Sequence, residues 1–215
     1  MLDSFDSAVV QIEQKPVKWE TEEGVNFQKS LILSENAQKF VIAQRLTMAE
    51  SNYVYIQGGL AASSIGSYAL ITSYANAKLY GFYRPAFFRF LIYTFVGTFC
   101  YGVWSTTRHL YNKYLERTAD ETAASINIEY AKGAVEYYAK LIQRNIALRD
   151  LMGPTGEKLF TPVGNHSQFI RQKYIPLTNR KENAERVVEK LHQQSQTSNV
   201  AKNISESKND DDMES

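Results

Sequence analysis

The sequence predicts a mainly α-helical chain with a small amino-terminal β element and a two-helix transmembrane hairpin set between water-soluble helical segments. Three observations carry that prediction. Residues 51 to 77 contain no Asp, Glu, Lys or Arg, residues 90 to 107 contain none either, and apolar positions recur at helical spacing on both sides. A helix rises about 1.5 Å per residue and the hydrocarbon layer is about 30 Å thick, so about 20 uncharged residues can cross it with their backbone polar groups paired internally.

From the amino terminus, residues 1–33 are expected to hold the β element: VVQI, VKWETEEGVNF and SLIL are β-branched and alternating, with EEG as a turn. A helix is expected over 34–52, with Ser34 as its cap, Glu35 in its first turn, and apolar positions at Ala37, Phe40, Val41 and Ala43 to Leu46. The hairpin occupies 53–107, its two spans at about 53–77 and 88–107. The first span is small and weakly apolar, the second aromatic. Gly58, Ala62 and Gly66 repeat every four residues in the first and are expected to let helix backbones approach closely, as are Gly59, Ser63 and Ser67. Tyr80, Phe82, Tyr83, Phe87 and Phe88 fit an interfacial belt.

Residues 108–193 are expected to form a soluble helical region. Ile126, Tyr130, Ala134, Tyr137 or Tyr138, Leu141, Leu148 and Leu151 give one apolar face, which Gly153-Pro154 terminates. GEKLFTPVGN then reads as a loop with a short extended stretch, and 181 to 193 as a last amphipathic helix. Residues 194–215 are polar and end in NDDDMES, which predicts a disordered acidic tail.

Composition excludes several functions. With 24 basic and 23 acidic residues the net charge of +1 gives no electrostatic case for nucleic acid, and the lipid bilayer is the partner the hairpin requires. The single cysteine, Cys100, lies in an apolar segment and reads as a packing residue; no disulfide can form within the chain. MLDSFDSAVV carries two acids and no Arg, unlike a transit peptide or a secretory signal, so either import uses internal signals or the true start of the chain lies upstream. The loop cations Lys78, Arg84 and Arg89 are matched on the outer flanks by Lys39, Arg45, Arg108, Lys113 and Arg117, so charge alone does not orient the hairpin. There is no GxxxxGK[ST] or G-x-S-x-G pattern, and the serines of the first span have no base within either span.

Four runs carry a resemblance: LSENAQKFVIAQRLTMAES at 33 to 51, GAVEYYAKLIQRNIALRDLMG at 133 to 153, GEKLFTPVGN at 156 to 165, and YIPLTNRK at 174 to 181. They resemble the transmembrane protein 177 family over roughly residues 8 to 190. The resemblance implies a non-catalytic, multi-pass protein of the mitochondrial inner membrane without a cofactor. It also implies a role in cytochrome c oxidase biogenesis, with newly made subunit II and its assembly chaperone as partners. Members of that family begin with a further membrane helix that has no counterpart here, and the tail after about Gln194 is an extension.

A more distant resemblance is to membrane zinc metallopeptidases of the HtpX kind, which place His-Glu-x-x-His before a membrane hairpin and Glu-x-x-x-Asp after it. Gln44, Arg45 and Met48 stand where the first motif would be, and Glu116 and Asp120 fit the second. Zinc chemistry does not survive the replacements. Glutamine and a thioether are poor ligands for a hydrolytic zinc, and Arg45 puts a cation where a base is needed. His109, His166 and His192 offer no i,i+4 pair in their place. Glu116 and Asp120 are therefore expected to be solvated or paired with arginine, the metal and catalytic sites absent, and the scaffold a pseudoenzyme.

A contact surface for a partner is expected between Gly133 and Asn165, at Tyr138, Phe160 and Asn165, because this segment holds more aromatic and apolar surface than one helix face can hide. The competing expectation for the same aromatics is packing against the Ser34 to Glu50 helix.

Overall fold

The computed structural model describes residues 11–12, 15–16, 19–78, 85–167 and 174–211, with side chains placed over 19–78, 85–167 and 174–197. The described residues are mostly helical and divide into two compact units, split at residues 47/48 and 116/117. Each unit is described by itself.

In the discontinuous unit, the expected β element shrinks to a two-residue antiparallel ladder, β1 (Gln11–Ile12) with β2 (Lys15–Pro16). The strands foreseen up to residue 33 are not supported, and the early part of VVQI lies outside the described residues. Helix α1 (Glu22–Leu31) takes their place. Thr21 is its cap: the Gly24 N–H donates to Thr21 Oγ1 at 3.2 Å, and Glu22 and Glu23 sit in the first turn, where the helix dipole favours acids. The EEG triplet is thus the opening turn of a helix. Phe27 is buried and stacks on Trp19 at 6.3 Å between centroids.

Helix α2 (Glu35–Glu50) starts where Ser34 predicts, with the Ala37 N–H donating to Ser34 Oγ at 3.2 Å. Ser34 is itself held by Glu136, whose carboxylate accepts from both its amide and its hydroxyl. The central helix of this unit is α5 (Ile128–Met152), capped by Asn127, which accepts from the Glu129 and Tyr130 amides at 2.9 and 3.0 Å. Gly133 lets α2 reach it: a Cβ there would lie 2.3 Å from the Asn36 carbonyl oxygen. Gly153, at φ 58, ends α5 as expected, but Pro154 opens a further short helix, α6 (Pro154–Leu159). Proline is favoured at a first helical position, so the same dipeptide stops one helix and starts the next.

The loop after α6 turns at Gly164, φ 77, and makes one antiparallel bridge between Phe160 and His166. Helix α7 (Leu177–Asp211) closes the unit and packs along α5. It runs well past residue 194, where disorder was expected. No Gly or Pro interrupts 177 to 211, so nothing in the backbone ends the helix. The core is Phe40, Ala123, Ala124, Ala134, Tyr138 and Ala184. The alanines let the helices approach closely, and burying Phe40 alone contributes about 1.5–3 kcal/mol.

The other unit holds α3 (Tyr53–Lys78) and most of α4 (Ala86–Ala124). Helix α4 continues without a break from the second apolar segment into the start of the expected soluble region. Among the described residues only α4 is long and apolar enough to cross a membrane; α3, with four Ser and three Gly, is not, and the two-span hairpin is not supported. The two helices do pack antiparallel. Tyr53 stacks on Tyr111, Gln57 Nε2 donates to Asn112 at 3.1 Å, Ser64 Oγ to the Cys100 carbonyl at 3.2 Å, and Tyr93 OH to Asn76 at 2.8 Å. The expected small-residue seam does not face α4: Gly58, Ala62 and Gly66 are exposed, and a Cβ at Gly58, Gly59 or Gly66 would meet nothing within 4 Å. The close approach is instead at Gly97 against Tyr68, beside the buried Cys100. Phe87 and Phe88 are exposed at the start of α4, whereas Tyr80, Phe82 and Tyr83 lie outside the described residues.

Candidate functional site

Helices α2, α4, α5 and α7 each bring one polar side chain to a single point in the core of the discontinuous unit: Gln44, Asp120, Tyr138 and Arg180. Gln44 and Tyr138 are 2% and 1% exposed. Arg180 grips Asp120 as a fork, Nε donating to Oδ2 at 2.7 Å and Nη2 to Oδ1 at 2.8 Å. Tyr138 OH donates to Asp120 Oδ1 at 2.7 Å, and Gln44 Nε2 donates to the same oxygen and, at 3.2 Å, to Tyr138 OH. The guanidinium also lies over the Tyr138 ring, 4.9 Å from its centroid.

The electrostatics are those of a closed network. Burial and the Asp120 charge push the Tyr138 phenol well above its ordinary range, so it stays a neutral donor. Asp120 accepts four hydrogen bonds, three at Oδ1 and one at Oδ2, two of the four from a cation. Gln44 turns its amide nitrogen to this carboxylate; its carbonyl oxygen is buried with no hydrogen-bond partner among the described residues. Among those residues no three His, Cys, Asp or Glu side chains gather as a metal ion would need.

The structure therefore brings together two of the five positions matched to the metallopeptidase motifs, Gln44 and Asp120. Arg45 is exposed, and Met48 and Glu116 belong to the other unit. Asp120 is paired with arginine, one of the two fates expected for it. Gln44 is neither a surface group nor mere packing.

The proposed contact residues are corrected. Tyr138 is in the core, where Phe40 meets it edge-on at 5.9 Å. Phe160 is 8% exposed and packs against His166 at 5.1 Å. Asn165 is half-buried and fastens the loop to α7: its Oδ1 accepts from the Thr178 amide at 3.2 Å and its Nδ2 donates to Thr178 Oγ1 at 3.0 Å. The competing expectation placed these aromatics against α2 and the amino-terminal strands; Tyr137 and Tyr138 do meet Phe40 of α2, and Arg180 of α7, rather than a strand, covers the Tyr138 ring.

Two residues that sequence reasoning missed are Arg180 and Arg144. Arg180 lies in the run YIPLTNRK, yet no periodicity links it to a carboxylate sixty residues earlier. Arg144 lines a cavity of about 340 Å³ beside the network, together with Arg180, His166 and the apolar side chains of Leu141, Ile175 and Leu177. His166 has its protonation disfavoured, first by burial and then by the Arg144 charge.

A mostly helical chain with one helix able to cross a bilayer, and a helical unit closed on a buried ion pair, is a membrane protein without a recognisable catalytic constellation among its described residues. The chain belongs to the transmembrane protein 177 family, whose model matches residues 3–199. It is similar to transmembrane protein 177 of Rattus norvegicus, 33% identical over 192 residues, covering 85% of this chain and 59% of that one. The Homo sapiens protein of that name is 32% identical over 169 residues, 77% of this chain and 54% of the relative. An uncharacterized protein of Caenorhabditis elegans is 29% identical over 148 residues, 65% and 42% of the two chains. The chain spans between half and three-fifths of the length of the first two relatives. No solved structure matches it.

Proposed function

We propose that this chain is a non-catalytic factor of cytochrome c oxidase biogenesis in the mitochondrial inner membrane, associating with newly made subunit II and its assembly chaperone. Membership of the family, for which the resemblance implies that role, supports the reading. The observation that carries its non-catalytic part is the hydrogen bonding of Gln44 and Asp120. Where the related peptidase scaffold would present ligands to zinc, this chain points an amide N–H at a carboxylate already held by Arg180. In this reading the protein is multi-pass, with α4 as one of its crossings.

Crosslinking immunoprecipitation from mitochondria tests the role. Recovery of oxidase subunit II with the tagged chain is the expected result. A chain that reaches the inner membrane and recovers none of it removes the specific function. Zinc analysis of the purified protein checks the chemistry, because near-stoichiometric metal would make it a peptidase candidate instead.

A further inference from the structure

We infer that the cavity beside the network is a binding site for a monoanionic carboxylate carried on a small apolar body. Among the described residues it is lined by Arg144, Arg180 and His166 and by no carboxylate. Arg180 is neutralised by Asp120, with both partners 14% exposed, so its charge is already satisfied. Arg144 is different. It has no carboxylate partner among the described residues; its polar contact is a long one, 3.5 Å from Nη2 to Asn145 Oδ1, and its Nε is buried without a hydrogen-bond partner. A half-buried guanidinium left in this condition is an incomplete arrangement, since a buried donor without a partner carries its full desolvation penalty.

The lining selects the ligand. One uncompensated positive charge matches one negative charge, and the planar guanidinium fork suits the two oxygens of a carboxylate. The same field keeps His166 neutral at pH 7, where its ring offers a single N–H donor and adds no second charge. Leu141, Val163, Ile175 and Leu177 supply the remaining wall, so the body behind the carboxylate is apolar. The volume of about 340 Å³ lies at the lower end of small-molecule sites and admits a group the size of one acylated amino acid. A free organic acid and the carboxy-terminal residue of a peptide present this same chemistry. The site stands whether or not the chain serves oxidase assembly, because it rests on Arg144 and the cavity walls alone.

Calorimetric titration of the full chain in detergent tests it, with N-acetyl-leucine and its uncharged amide as probes. The acid is expected to bind at least tenfold more tightly than the amide, and Arg144→Gln to abolish that preference while leaving the melting temperature within a few degrees. If Arg144→Gln does not fold, Arg144→Lys serves: it keeps the charge, loses the fork, and is expected to weaken the acid severalfold. Equal binding of acid and amide, or an unchanged preference in a folded Arg144 variant, overturns the site. Inorganic phosphate binding as tightly as the acid overturns the carboxylate assignment. A tetrapeptide ending in leucine that binds tighter than N-acetyl-leucine marks a chain terminus as the source, and weaker binding marks a free acid.

Discussion

Asp120 and Arg180 are joined by two hydrogen bonds of 2.7 and 2.8 Å across sixty residues of chain, and this pair is the strongest tie between α4 and α7. Removing one partner of a buried pair leaves the other charge uncompensated, a larger effect than the net worth of the pair. Arg180→Met is expected to destabilise the discontinuous unit by about 3 kcal/mol, the lower end of the range because both side chains keep some exposure. Denaturant unfolding followed by tyrosine fluorescence measures it. The double variant with Asp120→Asn is expected to recover part of the loss.

Gly133→Ala probes the crossing of α2 and α5. Its methyl group would overlap the Asn36 carbonyl, which is backbone and cannot swing aside. A loss of about 1–3 kcal/mol is expected from forcing the helices apart. An unchanged melting temperature would show that the two helices do not approach this closely.

His166 gives the fold a pH dependence of defined sign. Its folded-state pKa lies below the ordinary value of 6.5, so on acidification the unfolded chain takes up this proton first. Its contribution to stability is complete above pH 6.5, falls as pH drops through that value, and levels off below the folded pKa. Melting temperatures of wild type and His166→Gln are expected to converge as pH falls from 8 to 5. Parallel curves would contradict the shift.

Helix α4 is open to an insertion test at Val96, within its apolar stretch. Arg there is expected to cost about 2.5–3.5 kcal/mol of insertion free energy and to lower the membrane-integrated fraction. Complete extraction of the wild-type chain by alkaline carbonate would exclude a span in α4.

Local signals in the sequence were read well and remote ones were not. Ser34, the apolar spacing around Phe40, and the Gly153-Pro154 break each act within one helical turn, and the helices they predict are present. The strands failed because β-branched residues near Val25 yielded to a capping threonine and two acids in a first turn, a competition that alternation alone does not weigh. Repeats of Gly and Ala every four residues mark a face able to pack without saying what it packs on; against α4 the polar face of Tyr53, Gln57 and Ser64 is used instead. At the candidate site, chain order pointed to Gln44 and Asp120 through a likeness to another scaffold. Their partner Arg180 was invisible, since a contact across sixty residues leaves no period to detect.

The division of the chain at residues 47/48 and 116/117 also sets an order of events. Gln44 is made first, Asp120 after the apolar helices, and Arg180 last, so the acid emerges beside its amide long before its counter-charge exists. Until α7 arrives, α2 has only part of the surface that buries Phe40, and Asp120 is satisfied by water. Closure of this unit therefore waits for its carboxy-terminal helix. A chain ended before residue 180 retains the helices and lacks the one cation that fastens them, which makes Arg180 a checkpoint for completed synthesis as well as a structural contact.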